Sequence, residues 1–154
     1  MSAFVASGGS AEPFTLVNDG WWPDIDGDKL RDAQRIKADV TNDRLEFAVV
    51  AAMISVNREL AAWKALQQAA GHATLADVPA EQIGGRSHRV ALYERAIYSA
   101  TSAECAERYR SYDATRSGGD SAEEEERSID DYRRDQRFAL RDLLGVARTT
   151  VELL

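Results

Sequence analysis

No Gly or Pro interrupts the chain from Asn42 through Ala70, and that stretch limits the fold more than any other. Thr41 and Asn42 offer side-chain oxygens to the open amides of a helix N-terminus, and Gly71 supplies a left-handed residue to end the helix. The spacing predicts one helix, ~43 Å long at 1.5 Å per residue. Leu45, Val49, Ala52, Met53, Val56, Leu60 and Trp63 recur at steps of three and four, which makes them its core face and places Trp63 in the core. A second apolar row, Phe47, Val50, Ile54 and Ala61, lies on the opposite side of its first half. One apolar face is ordinary; two require something packed on both sides, either the rest of the domain or another subunit.

The flanking sequence supplies shorter pieces. Met1 to Glu12 is small and polar around Gly8-Gly9-Ser10 and reads as a flexible arm. Phe14, Leu16 and Val17 form a brief extended piece before the turn signal Asn18-Asp19-Gly20. Trp21 and Trp22 follow, and at least one of them must anchor a core or an interface. Asp26 caps a helix expected over Gly27 to Ala38, with Leu30, Ala33 and Ile36 or Lys37 on its buried side. Pro79 opens a single helical turn, Ala80 to Ile83, before Gly84-Gly85.

A further helix is expected from about Ser87 to Thr115, with Val90, Tyr93, Ile97, Ala100, Thr101, Cys105, Tyr109 and Tyr112 over a broad apolar arc and Glu104 paired with Arg108. The last helix opens at Asp120 and Ser121, buries Ile129, Tyr132, Gln136, Leu140, Leu143 and Leu144, and stops at Gly145. Its flanks differ in charge. Arg133, Arg137 and Arg141 line one, Asp131, Asp135 and Asp142 the other, and Phe138 lies opposite the core stripe. These pieces make an all-α fold, a small helical bundle around one long central helix. Residues 1–20 are its N-terminal arm, 21–145 a single helical domain, and 146–154 an extended C-terminal tail.

Composition narrows function. At 154 residues the chain is one domain long and can bury a core without metals or disulfides. The lone Cys105 excludes an intramolecular disulfide and reads as a small buried hydrophobe. No stretch approaches the ~20 apolar residues of a membrane span, and Met1 to Ser10 does not read as a signal peptide. A formal net charge of -7 argues against nucleic-acid binding over the whole surface. No phosphate-binding loop, nucleophile elbow or metal-spaced His/Cys set is present, and His72 and His88 read as loop residues. Asp24-Ile25-Asp26-Gly27-Asp28 lacks the closing Glu of a calcium loop. No enzyme activity, cofactor or metal is expected.

Several phrases, in order along the chain, resemble the head completion protein family (GPL) of contractile-tailed temperate phages. They are Trp22-Pro23-Asp24-Ile25-Asp26, the segment from Val56-Asn57-Arg58-Glu59-Leu60 to Trp63, and Ala69 to Pro79. Leu92 to Tyr98, Arg108 to Thr115 and the ending Arg148-Thr149-Thr150-Val151-Glu152-Leu153-Leu154 complete the set, and the first 20 residues match least. The resemblance implies a structural virion protein, similar to head-to-tail adaptors, that is assembled in the host cytoplasm. Such a protein binds the portal protein after DNA packaging, stabilises the filled head and forms the platform for neck or tail-completion proteins. It also implies a dodecameric ring with at most loose, sequence-independent contact with packaged DNA.

On that reading Arg148 to Leu154 is the portal-binding segment. Its strand-forming Thr149, Thr150 and Val151, and an apolar end that so short a piece cannot bury alone, suit strand addition to a partner. The Arg133, Arg137 and Arg141 flank, with Phe138 or the Phe47, Val50 and Ile54 row, is the expected subunit interface. The residues themselves also allow a soluble helical protein-binding or regulatory module with no virion role.

Overall fold

The computed structural model describes the backbone of residues 14–113 and 120–147 and, within these, the side chains of residues 14–108 and 129–147. The described residues form five helices: α1 (Gly27–Ala33), α2 (Asn42–Glu59), α3 (Ala61–Ala69), α4 (His88–Asp113) and α5 (Asp120–Leu144). Two small antiparallel sheets accompany them. In the first, β1 (Thr15–Leu16) pairs with β2 (Ile25–Asp26); in the second, β3 (Gln82–Ile83) pairs with β4 (Arg86–Ser87). The fold is therefore mostly helical rather than all-α.

The helix that the others depend on is α4, not the Asn42–Ala70 stretch. Both α2 and α5 pack along α4, and both run antiparallel to it. Asn57 and Phe47 of α2 meet Tyr93 and Arg108, while Asp135 and Arg133 of α5 meet Arg95 and Glu107. Small residues make this double packing possible. Ala96, Ser99, Ala100, Ser102 and Ala103 are all buried, so α4 presents little side-chain bulk to its neighbours and their axes can come close.

The Asn42–Ala70 stretch is two helices, which corrects the single long helix expected from it. Leu60, with φ -92° and ψ 1°, leaves helical geometry and separates α2 from α3. The cause is tertiary. Leu60 is fully buried, and beyond it Trp63 and Lys64 turn toward the Asp19–Trp22 segment. Trp63 lies 6.1 Å from Trp21 and 6.4 Å from Trp22, and Lys64 pairs with the Asp19 carboxylate. Trp63 is accordingly half-buried against the core rather than within it.

Two other expectations change. Helix α1 stops at Ala33 because Arg35 takes a left-handed conformation (φ 53°) and Ile36 N–H donates to Arg31 C=O at 3.0 Å. Leu30 is buried and Ile36 half-buried, but Ala33 and Lys37 are exposed. Residues Gln82 to Ser87 form a hairpin rather than a helical turn, since Gly84 and Gly85 both have positive φ (61° and 79°) and close the tight loop that suits twisted strands. Several helix ends lie where the sequence places them. Asp26 Oδ1 accepts from Lys29 N–H at 2.9 Å, Thr41 Oγ1 accepts from Arg44 N–H at 3.4 Å, and Gly71 and Gly145 end α3 and α5.

The turn from Asn18 to Trp22 delivers two tryptophans to the core. Asp19 Oδ1 accepts from the amides of Trp21 and Trp22 at 3.0 and 3.1 Å. Burial raises the Asp19 pKa, but the Lys64 hydrogen bond and these two amides outweigh it and hold the carboxyl below its usual value. The turn points both tryptophans inward, Trp21 5% and Trp22 2% exposed. Trp22 stacks on Tyr93 at 4.7 Å with 7° between the rings. Trp21 Nε1 donates to His72 C=O at 3.0 Å, and Leu75 N–H donates to Trp21 C=O at 3.0 Å, which ties the turn to the loop after α3. Truncating a buried Trp removes its contacts and leaves a cavity, so Trp22→Ala should cost about 3–5 kcal/mol. Trp63→Ala should cost measurably less. Urea titration of both variants checks the order, and equal losses would mean that Trp63 carries a full share of the core.

Candidate assembly surfaces

The outer side of α2 is largely exposed, with Arg108 of α4 reaching over Phe47 at one end. Phe47, Val50 and Ile54 are 60%, 41% and 55% exposed there. Beside them runs the extended segment Phe14–Asp19, in which Leu16 points inward and Val17 outward, 78% exposed. Between the segment and α2 lies a groove whose lining includes Leu16, Val17, Val50, Met53, Ile54 and Glu46. Of the seven large hydrophobics exposed among the described residues, Val17, Phe47, Val50 and Ile54 belong to this one face. Scattered exposure of single side chains is normal, whereas clustering on one face marks an interaction surface. At one end of the strip the Arg108 guanidinium lies 4.6 Å from the Phe47 ring centre and also pairs with Glu104 at 3.4 Å.

On α5 the basic flank is divided. Arg133 faces α4, where it pairs with Glu107 at 2.9 Å and Glu104 at 3.2 Å. Burial works against its charge, but hydrogen bonds to Glu107 and Glu104 prevail and its pKa is raised. Arg141 donates to Ala147 C=O at 2.6 Å and so folds over the end of its own helix. Arg137 is exposed, and Phe138 is half-buried rather than outlying. Arg134, also exposed, pairs with Asp131 at 2.8 Å. Arg148, Thr149, Thr150, Val151, Glu152, Leu153 and Leu154 lie outside the described residues. The structure thus groups Phe47, Val50 and Ile54 on one surface, places Arg137 on another, and uses Arg133 and Arg141 within the chain.

The sequence reading missed Val17 and Glu46 as members of the α2 surface. For Val17 the signal was present, because period-two alternation with buried Leu16 sends a second hydrophobe outward.

Other candidates for chemistry are quiet. Burial pushes the Cys105 thiol up to about 11, so it is not a thiolate nucleophile at neutral pH. The His88 Nδ1 atom sits 3.3 Å from Glu81 C=O. Among the described residues no group of three or more His, Cys, Asp or Glu side chains can hold a metal ion, and no helix is long and apolar enough to cross a membrane.

Residues 16–154 match the model of the phage head completion protein (GPL) family. The chain belongs to that family. It is 37% identical over 136 residues to the head completion/stabilization protein of Escherichia phage P2, an alignment covering 88% of this chain and 80% of the relative. No solved structure matches it significantly. The chain is therefore a structural protein of the phage head, and the match extends over all five helices and both exposed surfaces.

The division of the α5 arginines separates folding from surface roles. Arg133→Glu would face Glu104 and Glu107 with a third negative charge and should lower stability by about 1–3 kcal/mol. Arg137→Glu, on an exposed site, should stay within about 0.5 kcal/mol of the parent. Thermal melts of both purified variants measure this, and equal stability would contradict the internal role of Arg133.

Proposed function

We propose that the chain acts at the portal vertex once the head is filled. There it closes the packaged DNA in and provides the platform on which neck or tail-completion proteins dock. Family membership along nearly the whole chain carries this reading, and the exposed apolar face on α2 supports it, since a subunit of a larger assembly needs such a surface. The role is one of binding and stabilisation, not catalysis. Copies form a ring, dodecameric by likeness to other small head-to-tail adaptors, and the acidic chain makes only loose, sequence-independent contact with the genome.

The C-terminal segment Arg148 to Leu154 binds portal protein. Strand addition gives affinity through backbone hydrogen bonds, while Val151, Leu153 and Leu154 fill pockets that give specificity. Helix α5 is closed before this segment begins, by Gly145 N–H donating to Asp142 C=O at 3.1 Å and Val146 N–H to Arg141 C=O at 2.9 Å.

Deleting Arg148 to Leu154 should shift the thermal midpoint by less than about 1 °C, corresponding to well under 1 kcal/mol. The same deletion should abolish attachment to portal-bearing heads, which then leak DNA. Sedimentation of filled heads mixed with full-length or truncated protein reads both effects, and full attachment by the truncated protein would overturn the assignment of the tail.

A further inference from the structure

We infer that Arg89 is a positioning residue for the portal-binding tail: it ties the end of α5 to the tryptophan cluster, so that the chain leaves Ala147 from a fixed point and in a fixed direction. The inference rests on the role of the tail proposed above and adds how the rigid domain presents it.

A helix ends in carbonyls that have no partner within it, and on α5 these include Arg141, Asp142 and Leu143. Arg141 C=O accepts from Val146 N–H at 2.9 Å and Asp142 C=O from Gly145 N–H at 3.1 Å, with Gly145 left-handed (φ 70°). Leu143 C=O accepts from another helix instead, through Nη1 of Arg89 in the first turn of α4. Just past the helix, Ala147 C=O accepts from Arg141 Nη2 at 2.6 Å. Arg89 reaches further. Its Nε donates to Pro79 C=O at 3.4 Å, and its guanidinium lies over the Trp63 ring, 5.4 Å from the centre. Trp63 in turn meets Trp21 and Trp22. One half-buried side chain thus joins the end of α5, the loop before β3, and α3.

The bonds from Val146 and Gly145 are enough to finish a helix, and Arg89 adds a tie to the rest of the domain. A positive charge at this end also complements the helix dipole. A strand added to a partner must arrive in one direction and register. If its root swings freely, the alternatives are lost on binding, and that ordering weakens the complex. With the root tied to the tryptophan cluster, the direction is set before contact, and a pull on the tail is passed to the core rather than to a fraying helix end. Arginine suits the task, because separate nitrogens serve two carbonyls while the flat guanidinium covers an aromatic ring, which a compact ammonium cannot do at once.

A cycle of variants tests this, read by the affinity of each protein for filled, portal-bearing heads in sedimentation. The set comprises the tail deletion, a Gly-Ser-Gly-Ser insertion between Ala147 and Arg148, Arg89→Met, and the insertion combined with Arg89→Met. The insertion keeps every tail residue but frees its direction, and it should weaken attachment by about tenfold, as should Arg89→Met. Both remove the same constraint, so the combined protein should lose no more than about threefold beyond either alone. If Arg89→Met does not fold, Arg89→Lys takes its place in the same cycle. Undiminished attachment after the insertion, with the tail deletion inactive, would overturn the positioning role and leave the tail as the portal-binding segment. Losses that multiply in the combined protein would show Arg89 acting through general stability and would also overturn it. Full attachment by the tail deletion would refute the reading of the tail itself, and the inference with it.

Discussion

The contact between Trp22 and Tyr93 fixes how the N-terminal third of the chain meets the helical pair behind it. Stacking supplies apolar area and orientation, and a closed set of three hydrogen bonds supplies the polar complement. The Tyr93 hydroxyl accepts from Asn18 Nδ2 at 2.8 Å and donates to Asn57 Oδ1 at 2.6 Å, and Asn57 Nδ2 donates to Asn18 Oδ1 at 3.1 Å. A Tyr that is fully buried must place its hydroxyl somewhere, and here the partners come from the loop before Trp21 and from α2. Burial, the leading cause, raises the pKa of Tyr93, so the phenol stays neutral and the network keeps its proton. Helix α4, helix α2 and the Asn18–Trp22 turn are thereby locked in one register. Such a network is worth having only when complete, since a member left without its partner is buried and unsatisfied.

That lock explains what the sequence could and could not disclose. Helix existence, caps and ends follow from local chemistry, and Asp26, Thr41, Gly71 and Gly145 act where their residue types say they should. The break at Leu60 has no local marker, because the chain turns there to bring Trp63 and Lys64 to the Trp21–Trp22 turn, a contact between residues far apart in sequence. The identity of the central helix was misread for a related reason. Two apolar rows on α2 suggested a helix enclosed on both sides, yet the enclosed helix is α4, whose buried face is built largely of Ala and Ser. Small residues signal close approach more quietly than leucines signal burial.

The second row on α2 is legible as apolar but not as to its partner. Among the described residues Arg108 lies over Phe47, yet Phe47, Val50 and Ile54 all stay exposed, which leaves this row open to a partner. The α5 arginines show the converse problem. Three residues on one helical flank look equivalent in sequence, but Arg133 is drawn inward by Glu104 and Glu107 on α4, Arg141 folds over its own helix end, and Arg137 is exposed. Spacing sets the flank; the neighbouring helix decides which members remain at the surface. A small domain whose core is complete on one side of α2 and absent on the other is suited to be one segment of a larger body.

The central claim is that this body is a ring at the portal vertex of the filled head. A density map of the intact particle's neck, reconstructed without imposed symmetry, tests it most directly. The account predicts helical density fitting α2, α4 and α5 in a closed ring beneath the portal. Density for the chain dispersed over the capsid shell, or a neck with no ring that fits these helices, would contradict it.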